Sequence, residues 1–340
     1  MCLQEPAKSR TVAEGRTTVA RRIVYTLSGG AAFGYAHVGV LKFFEEQEIR
    51  PSAVVGTSMG AIVGALYAYG YDASQIEDIA SQVRSRELVR LFFPSFPRGG
   101  IIDTNGIRDF LRSLIGDVRI EDLPIPYRSV AVDILSGEEI VFDQGPLIDA
   151  VMPSMTIPGI FRPYRLFDRY LVDGGLLNNL PWDIGNELGR INILVNVVPK
   201  RERHEKRRRL SSALDAEHPA GQSGATLPDR MRSGDFREGI QDLIRRIRAR
   251  EQFSLQELAN SLSRREKDDD APGIADVVTN VLAVLNDNIH IPKSGLFRKI
   301  IYLEPRLADY YPSDFHRAAN IIEEGYQTAL RSARALRKLS

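Results

Sequence analysis

Two short apolar runs, each followed by a glycine-rich turn and then by a helical pattern, constrain the fold of this chain most. The run "RIVYTL" (residues 22–27) precedes "SGGAAFG" and the helical pattern "YAHVGVLKFFEEQE", and "SAVV" precedes "GTSMG" (residues 56–60) and another helical pattern. Two strands joined by one helix normally lie parallel, with a right-handed crossover. Both turns are therefore expected at one edge of a sheet, where open parallel sheets carry their sites.

The pentapeptide "GTSMG" has the form G-x-S-x-G, in which a serine stands in a tight turn between a strand and a helix. Gly56 and Gly60 lack the Cβ atoms that would obstruct this turn. Ser58 is the candidate nucleophile, at a helix N-terminus that favours negative charge. The alternative is that the glycines only allow the turn and that Ser58 only caps the helix.

The loop "SGGAAFG" offers successive backbone N–H groups at the start of the other helix. Preorganised amides of this kind stabilise the oxyanion of a tetrahedral intermediate, and the candidate donors are those of Gly29, Gly30 and Ala31. The alternative is a non-catalytic nucleotide- or partner-binding module in which the loop holds phosphate. The loop has neither the G-x-G-x-x-G spacing nor the lysine of a P-loop, which disfavours that alternative.

A nucleophilic serine requires a base, and the stretch "RYLVDGGLLNNLPW" provides one candidate. Asp173 is predicted to end a strand, and Gly174 and Gly175 then let the backbone turn back toward the sheet edge. An Asp-Gly pair is also a common turn, so this stretch alone does not identify a base. An aspartate of ordinary pKa stays ionised well below the histidine value of about 6.5, although burial raises the pKa of a carboxyl.

Other titratable side chains have more ordinary interpretations. We expect His37 to be packed or to cap a helix, and His290 and His316 to lie at the surface. Asp133 in "VAVDIL" is the rival carboxylate, with a strand-end or hairpin role favoured. The five scattered histidines form no metal signature, and we expect neither a metal ion nor another cofactor.

The three motifs together resemble the patatin-like phospholipase family, in particular its bacterial members related to lysophospholipases. That family combines a G-G-G-x-[RK]-G loop, a G-x-S-x-G elbow and a D-G-[GA] motif whose aspartate forms a Ser-Asp dyad without histidine. The matching stretches are "GGAAFG" (Gly29–Gly34), "GTSMG" and "DGG" (Asp173–Gly175), and "PSMTIPGIFRP" is similar to a further S-x-x-x-P-x-x-F/P segment. The resemblance covers residues 22–199, with a weaker echo at about 274–335.

This resemblance implies an α/β fold of three layers (α/β/α), with a mainly parallel central sheet flanked by helices and a helical C-terminal part. It also implies a serine acyl hydrolase that cleaves fatty acyl esters of phospholipids or lysophospholipids, with Ser58 as nucleophile and Asp173 as base. A broader esterase or thioesterase with the same dyad is an alternative. The glycines expected to support the motifs are Gly34, Gly56, Gly60, Gly174 and Gly175.

Two positions depart from the family loop. Ala31 replaces the third glycine, which should be harmless if only its amide is used and its φ is negative. Phe33 replaces the basic residue and so removes a fixed positive charge near the site. Binding of an anionic head group through this loop is therefore not expected from the resemblance.

Composition divides the chain into four parts: a flexible N-terminal arm (1–21), the catalytic core (22–199), a basic flexible insertion (200–235) and a mostly helical part that completes the domain (236–340). The run "KRERHEKRRR" (200–209) is either a solvated stretch or a contact to an anionic membrane surface. The aromatic segment "RLFFPSFPRGGIID" is either a packed loop or an apolar lip. We expect no nucleic-acid partner, because no such signature accompanies the basic run.

Net charge, cysteine content and the length of apolar stretches exclude several classes of protein. The formal net charge of +1 gives no global attraction to nucleic acid or acidic lipid, and the single cysteine, Cys2, excludes an internal disulfide framework. No apolar stretch has the length of a signal-peptide core at the N-terminus or of a spanning helix elsewhere. We therefore expect a cytoplasmic protein with peripheral membrane contact.

Overall fold

The computed structural model describes residues 22–83, 104–199, 299–337 and 339. The predicted N-terminal arm, the aromatic segment, the basic insertion and His290 lie outside the described residues. Within these ranges, no helix is both long enough and apolar enough to cross a membrane.

The described residues contain eight strands, which form one mixed sheet. These are β1 Ile23–Leu27, β2 Ala53–Thr57, β3 Tyr127–Asp133, β4 Glu139–Phe142, β5 Tyr164–Leu166, β6 Arg169–Asp173, β7 Ile191–Val195 and β8 Lys299–Leu303. The order is β5-β6-β3-β2-β1-β7-β8, and β4 pairs with β3 outside this path. Strands β3, β2, β1, β7 and β8 run parallel, whereas β4, β5 and β6 pair antiparallel at one end of the sheet.

Helices cover both faces of this sheet. They are α1 Tyr35–Glu46, α2 Met59–Tyr69, α3 Ala73–Val83, α4 Asn105–Ile115, α5 Leu147–Ser154, α6 Trp182–Leu188, α7 Ala318–Arg331 and α8 Ala333–Leu336. Successive side chains of β1 point to opposite faces: Tyr25 packs on Phe44 of α1 in the large core, whereas Val24 packs with Ile184 of α6 in a smaller one. The predicted three-layer α/β fold with a mainly parallel sheet is confirmed.

The C-terminal residues complete the same sheet and the same core. Strand β8 extends the parallel sheet beside β7, and α7 crosses α1 at close range. A Cβ atom on Gly39 would collide with the carbonyl of Ile322, and one on Gly325 would collide with the carbonyl of Ala36. These two glycines therefore let the helix backbones touch.

One prediction for this part is only partly right. The pattern in residues 313–339 predicts a single closing helix, but the structure divides it into a 3-10 turn (Phe315–Arg317), α7 and α8. The break falls at Ser332, whose N–H donates to the carbonyls of Thr328 and Ala329 as α7 ends.

Candidate active site

The turn after β2 holds Ser58 in a strained backbone conformation. Ser58 has φ 54° and ψ −123°, which an L-residue rarely adopts, and α2 begins directly after it. A Cβ atom on Gly56 would collide with the carbonyl of Gly60, and one on Gly60 would collide with the carbonyl of Leu27 in β1. Both glycines are thus required by close backbone approach, and the resulting turn is the predicted elbow.

Strand pairing brings Asp173 to this elbow. Strand β3 pairs on one side with β4, so β2 and β6 must share its other side. There, β2 ends with Thr57 opposite Val130, and β6 ends with Asp173 opposite Ala131, the next residue of β3. The two strands meet end to end, which places Ser58 and Asp173 at one level of the sheet.

The side chains of Ser58 and Asp173 lie next to each other in a nearly dry environment. Ser58 is 7% exposed and Asp173 is 1% exposed. The N–H of Gly175 donates to Oδ1 of Asp173 at 2.8 Å. Burial raises the pKa of Asp173 to about 6, against the lowering effect of the Ser58 hydroxyl and of the Gly175 N–H.

The end of α5 fixes the backbone on both sides of this pair. The hydroxyl of Ser154 accepts a hydrogen bond from the N–H of Ser58 at 3.0 Å, and the carbonyl of Thr156 accepts one from the N–H of Asp173 at 2.9 Å. Ser154 and Thr156 are fully buried. The sequence alone predicts neither contact, although both acceptors lie in "PSMTIPGIFRP", the segment that is similar to the family.

The glycine-rich loop passes beside Ser58, but its first amide is already occupied. A Cβ atom on Gly29 would lie 2.9 Å from the Cβ of Ser58. The N–H of Gly29 donates to the carbonyl of Asn179 at 3.0 Å, which argues against the prediction that this amide holds an oxyanion. In the described ranges, no acceptor takes the N–H of Gly30 or Ala31. These two amides remain the candidate donors.

The two substituted positions of this loop have different consequences. Ala31 has φ 49°, so the condition of a negative φ is not met and the alanine is strained. Phe33 is buried in the large core, where a basic side chain would be unpaired. A Cβ atom on Gly34 would collide with the side chain of Met59, so this glycine lets α1 begin against the start of α2.

The turn after Asp173 braces the site from a third side. A Cβ atom on Gly174 would collide with the carbonyl of Val130. The carbonyl of Asn178 accepts a hydrogen bond from the Thr57 hydroxyl at 2.9 Å, and the carbonyl of Asn179 accepts the one from the N–H of Gly29. Both acceptors are backbone carbonyls, so the residue types at these two positions carry no sequence signal for this brace.

Neither histidine within the described ranges is hydrogen-bonded to Ser58 or Asp173. His37 is fully buried, its Nε2 lies 2.8 Å from the carbonyl oxygen of Ser28, and burial lowers its pKa to about 4. It is therefore neutral at pH 7 and donates from Nε2. His316 is exposed on the 3-10 turn that precedes α7.

Asp133, the rival carboxylate, lies at the other end of the β3–β6 pairing. It ends β3 opposite Leu171, pairs with Arg169 at 3.4 Å, and accepts the N–H of Leu135. These contacts give it a hairpin role. Among the described residues, no group of three or more His, Cys, Asp or Glu side chains is arranged to hold a metal ion.

Comparison with known proteins bears on this site. The family model described as patatin-like phospholipase matches residues 25–185. An uncharacterised NTE family protein of Mycobacterium tuberculosis (strain ATCC 25618 / H37Rv) is 39% identical over 160 residues, which are 47% of this chain and 44% of that protein. The patatin-like phospholipase domain-containing protein 6 of Mus musculus is 33% identical over 187 residues, or 53% of this chain and 14% of that protein.

The matched segment spans less than half the length of either relative. Among solved structures, VipD from Legionella pneumophila aligns over 93% of this chain and 67% of its own, with 14% identity and a TM-score of 0.41. This overall similarity is too low to support an inference.

Proposed function

Because residues 25–185 belong to the patatin-like phospholipase family, we propose that this chain is a serine acyl hydrolase that uses Ser58 and Asp173 as a catalytic dyad. The observation that carries the proposal is that the strand register brings Ser58 to the buried Asp173 carboxylate, where its hydroxyl lowers the pKa of that carboxyl. A nucleophilic serine requires a neighbouring base, and this carboxylate is one that needs no imidazole.

In the first half-reaction, Oγ of Ser58 attacks the carbonyl carbon of the substrate ester while Asp173 takes the hydroxyl proton. The tetrahedral intermediate collapses, the alkoxide leaves with the proton from Asp173, and an acyl ester on Ser58 remains. In the second half-reaction, water attacks this ester and gives its proton to Asp173. The fatty acid then leaves, and Ser58 regains its proton.

The negative oxygen of each intermediate requires donors next to Ser58. We assign this role to the N–H groups of Gly30 and Ala31. These residues directly follow Gly29, which packs against Ser58. Gly29 would act indirectly, because its N–H is held by Asn179 and thereby fixes the course of the loop. Amides fixed in this way need no reorganisation when charge develops.

The raised pKa of Asp173 suits a general base. A carboxylate with a pKa of about 6 is a stronger base than one with the ordinary value, yet it is still mostly ionised at pH 7. Burial therefore supplies the basicity that a histidine supplies in other serine hydrolases.

The substrate class rests on the family rather than on the site. The mouse relative is named a patatin-like phospholipase domain-containing protein, and we propose phospholipid or lysophospholipid esters for this chain, without metal or cofactor. We further propose the predicted division of the chain into a flexible arm, a catalytic core, a basic flexible insertion and a C-terminal part that completes the domain. We also propose that the protein works at a membrane surface. A broader esterase or thioesterase would have the same dyad, so only a substrate panel separates these activities.

A fluorophosphonate probe tests the proposal directly. The probe should label Ser58 in the full chain, and Ser58→Ala and Asp173→Asn should both lose labelling and ester hydrolysis while retaining the fold by circular dichroism. Asp133→Asn is the matched control and should retain both. No labelling of a folded parent would favour a binding module, and retained activity in Asp173→Asn with loss in Asp133→Asn would reassign the base.

A further inference from the structure

The turn of the β5–β6 hairpin exposes a large apolar side chain. Leu166 pairs with Arg169, so the turn consists of Phe167 and Asp168. The side chain of Phe167 is 85% exposed, and its backbone has φ 54°.

Folding stability does not explain this phenylalanine. Two-residue hairpin turns with positive φ favour glycine, asparagine or aspartate, and an L-residue with a large side chain is strained there. An exposed Phe167 also gains little from burial of apolar area. An asparagine at this position would strain the folded chain less. The phenylalanine is therefore better explained by an interaction with another molecule than by folding stability.

The hairpin extends beyond the sheet edge that carries the candidate active site. Strand β6 runs antiparallel to β3 and ends at Asp173, so its start lies farther out along the direction of the parallel strands. Phe167 precedes Asp173 by six residues, which corresponds to about 20 Å along a strand. The tip therefore projects on the side of the sheet where Ser58 lies.

Two more exposed apolar side chains lie beside this tip. The N–H of Ile134 donates to the carbonyl of Tyr170 at 2.9 Å, which joins the turn after β3 to the hairpin. Leu135 in that turn is 68% exposed, and Tyr170 is 41% exposed. Leu135, Phe167 and Tyr170 are called the tip patch below.

The charged side chains around the tip patch balance formally, but two of the arginines make no ion pair within the described residues. Arg169 pairs with Asp133 and Glu138. Arg162 and Arg165 are exposed and make no ion pair within the described residues, although Nε of Arg165 donates to the carbonyl of Phe167. With the exposed Asp168, the three arginines and three carboxylates sum to zero, so the patch has no net charge of its own. Arg162 and Arg165 are nevertheless available to meet anionic head groups.

We propose that the tip patch docks on an anionic phospholipid bilayer and holds the Ser58 edge at its surface. Three side chains on two turns and the start of β6 are too few for a stable protein interface, which buries about 800 Å² per partner. A bilayer suits them, because single aromatic and aliphatic side chains insert shallowly and arginines meet the head groups. The use of docking for catalysis rests on the proposed function, but docking itself does not.

Vesicle co-sedimentation of the full chain tests this surface. All variants carry Ser58→Ala, so that binding is measured without hydrolysis, and the vesicles are mixed phosphatidylcholine and phosphatidylglycerol. Phe167→Asn should weaken binding by about 10-fold or more, because burial of one phenylalanine is lost. Its thermal stability should be equal or higher, because asparagine suits the turn. Leu330→Gln, which replaces an exposed leucine on α7, is the matched control and should bind like its parent.

Charge and function are tested separately. Arg162→Gln with Arg165→Gln should weaken binding to the mixed vesicles at low salt but not to pure phosphatidylcholine vesicles. With Ser58 restored, Phe167→Asn should hydrolyse a soluble short-chain ester at the parent rate. Docking is refuted if the parent does not bind the mixed vesicles, or if a folded Leu135→Asn/Phe167→Asn variant binds as tightly as the parent. If Phe167→Asn weakens vesicle binding but the protein with Ser58 intact hydrolyses no ester, docking is supported and the proposed function is refuted instead.

Discussion

Replacing Asp173 by asparagine should abolish turnover and, at neutral pH, stabilise the folded protein. The carboxyl is buried, and its pKa is raised from 3.8 to about 6 because the charged form loses its hydration. A group that titrates at these two values in the unfolded and folded chain costs the folded state about 3 kcal/mol when it ionises. Asparagine carries no charge and avoids this cost.

The hydrogen bonds of the site should survive the substitution. The amide oxygen of asparagine can accept the N–H of Gly175, and the amide nitrogen can donate to the Ser58 hydroxyl. The amide cannot take a proton from Ser58, so activity should fall by about 10³-fold or more. A gain in stability with a loss of activity is expected where a buried charge serves catalysis.

The sign of the pH dependence follows from the raised pKa. Below about pH 4 the carboxyl is protonated in both states and costs nothing. Between about pH 4 and pH 6 it ionises in the unfolded chain first, so the parent loses stability as the pH rises, and above pH 6 the loss is complete. The difference in unfolding free energy between Asp173→Asn and the parent should therefore grow by about 3 kcal/mol across this window and then stay constant.

Equilibrium denaturant unfolding of the parent, Asp173→Asn and Ser58→Ala across this pH range measures the difference. Ser58→Ala is the control, because it is inactive but keeps the carboxylate; without the Ser58 hydroxyl the pKa of Asp173 should rise further, so its loss of stability with pH should be at least as large as the parent's. A difference that does not change with pH, or an asparagine variant that is less stable than the parent at pH 7, would refute the reasoning. Parent activity should rise with pH through about 6, which overlaps the histidine range, so the substitutions decide the identity of the base.

Four further predictions concern other parts of the chain. Ala31→Gly should raise the unfolding free energy by about 1 kcal/mol, since it relieves a left-handed alanine; a thermal melt without a gain would contradict this. Ser154→Ala should lower kcat by about 10-fold with little change in KM in ester kinetics, because the N–H of Ser58 loses its acceptor; unchanged kcat would contradict it. Hydrolysis should persist in excess chelator, and a loss that calcium restores with substrate presentation unchanged would overturn the metal-free mechanism. Glutamine at the lysines and arginines of residues 200–209 should weaken binding to anionic vesicles at low salt and spare a soluble ester; unchanged vesicle affinity would leave a solvated stretch.

The predictable parts of the fold and site depend on local sterics. A strand, a G-x-S-x-G turn and a small-residue helix can be recognised from adjacent residues, because a tight turn excludes Cβ atoms wherever it occurs. The parallel orientation of β1 and β2 follows from the one helix between them, and the structure supplies the register, with Leu27 opposite Gly56. The register of β6 could not be derived in this way, because antiparallel pairing with β3 depends on two hairpins and not on a crossover.

By itself, the sequence predicted the elbow at Ser58, the loop beside it and the α/β class, and, through a family resemblance, Asp173 as the candidate base. Only the tertiary structure decided how these groups are held. Ser154 reaches Ser58 across 96 residues, and Asn179 meets Gly29 across 150. Contacts with distant segments also account for the occupied amide of Gly29, the positive φ of Ala31 and the raised pKa of Asp173. A turn motif depends only on its own few residues, whereas each of these features depends on neighbours and burial that distant segments supply.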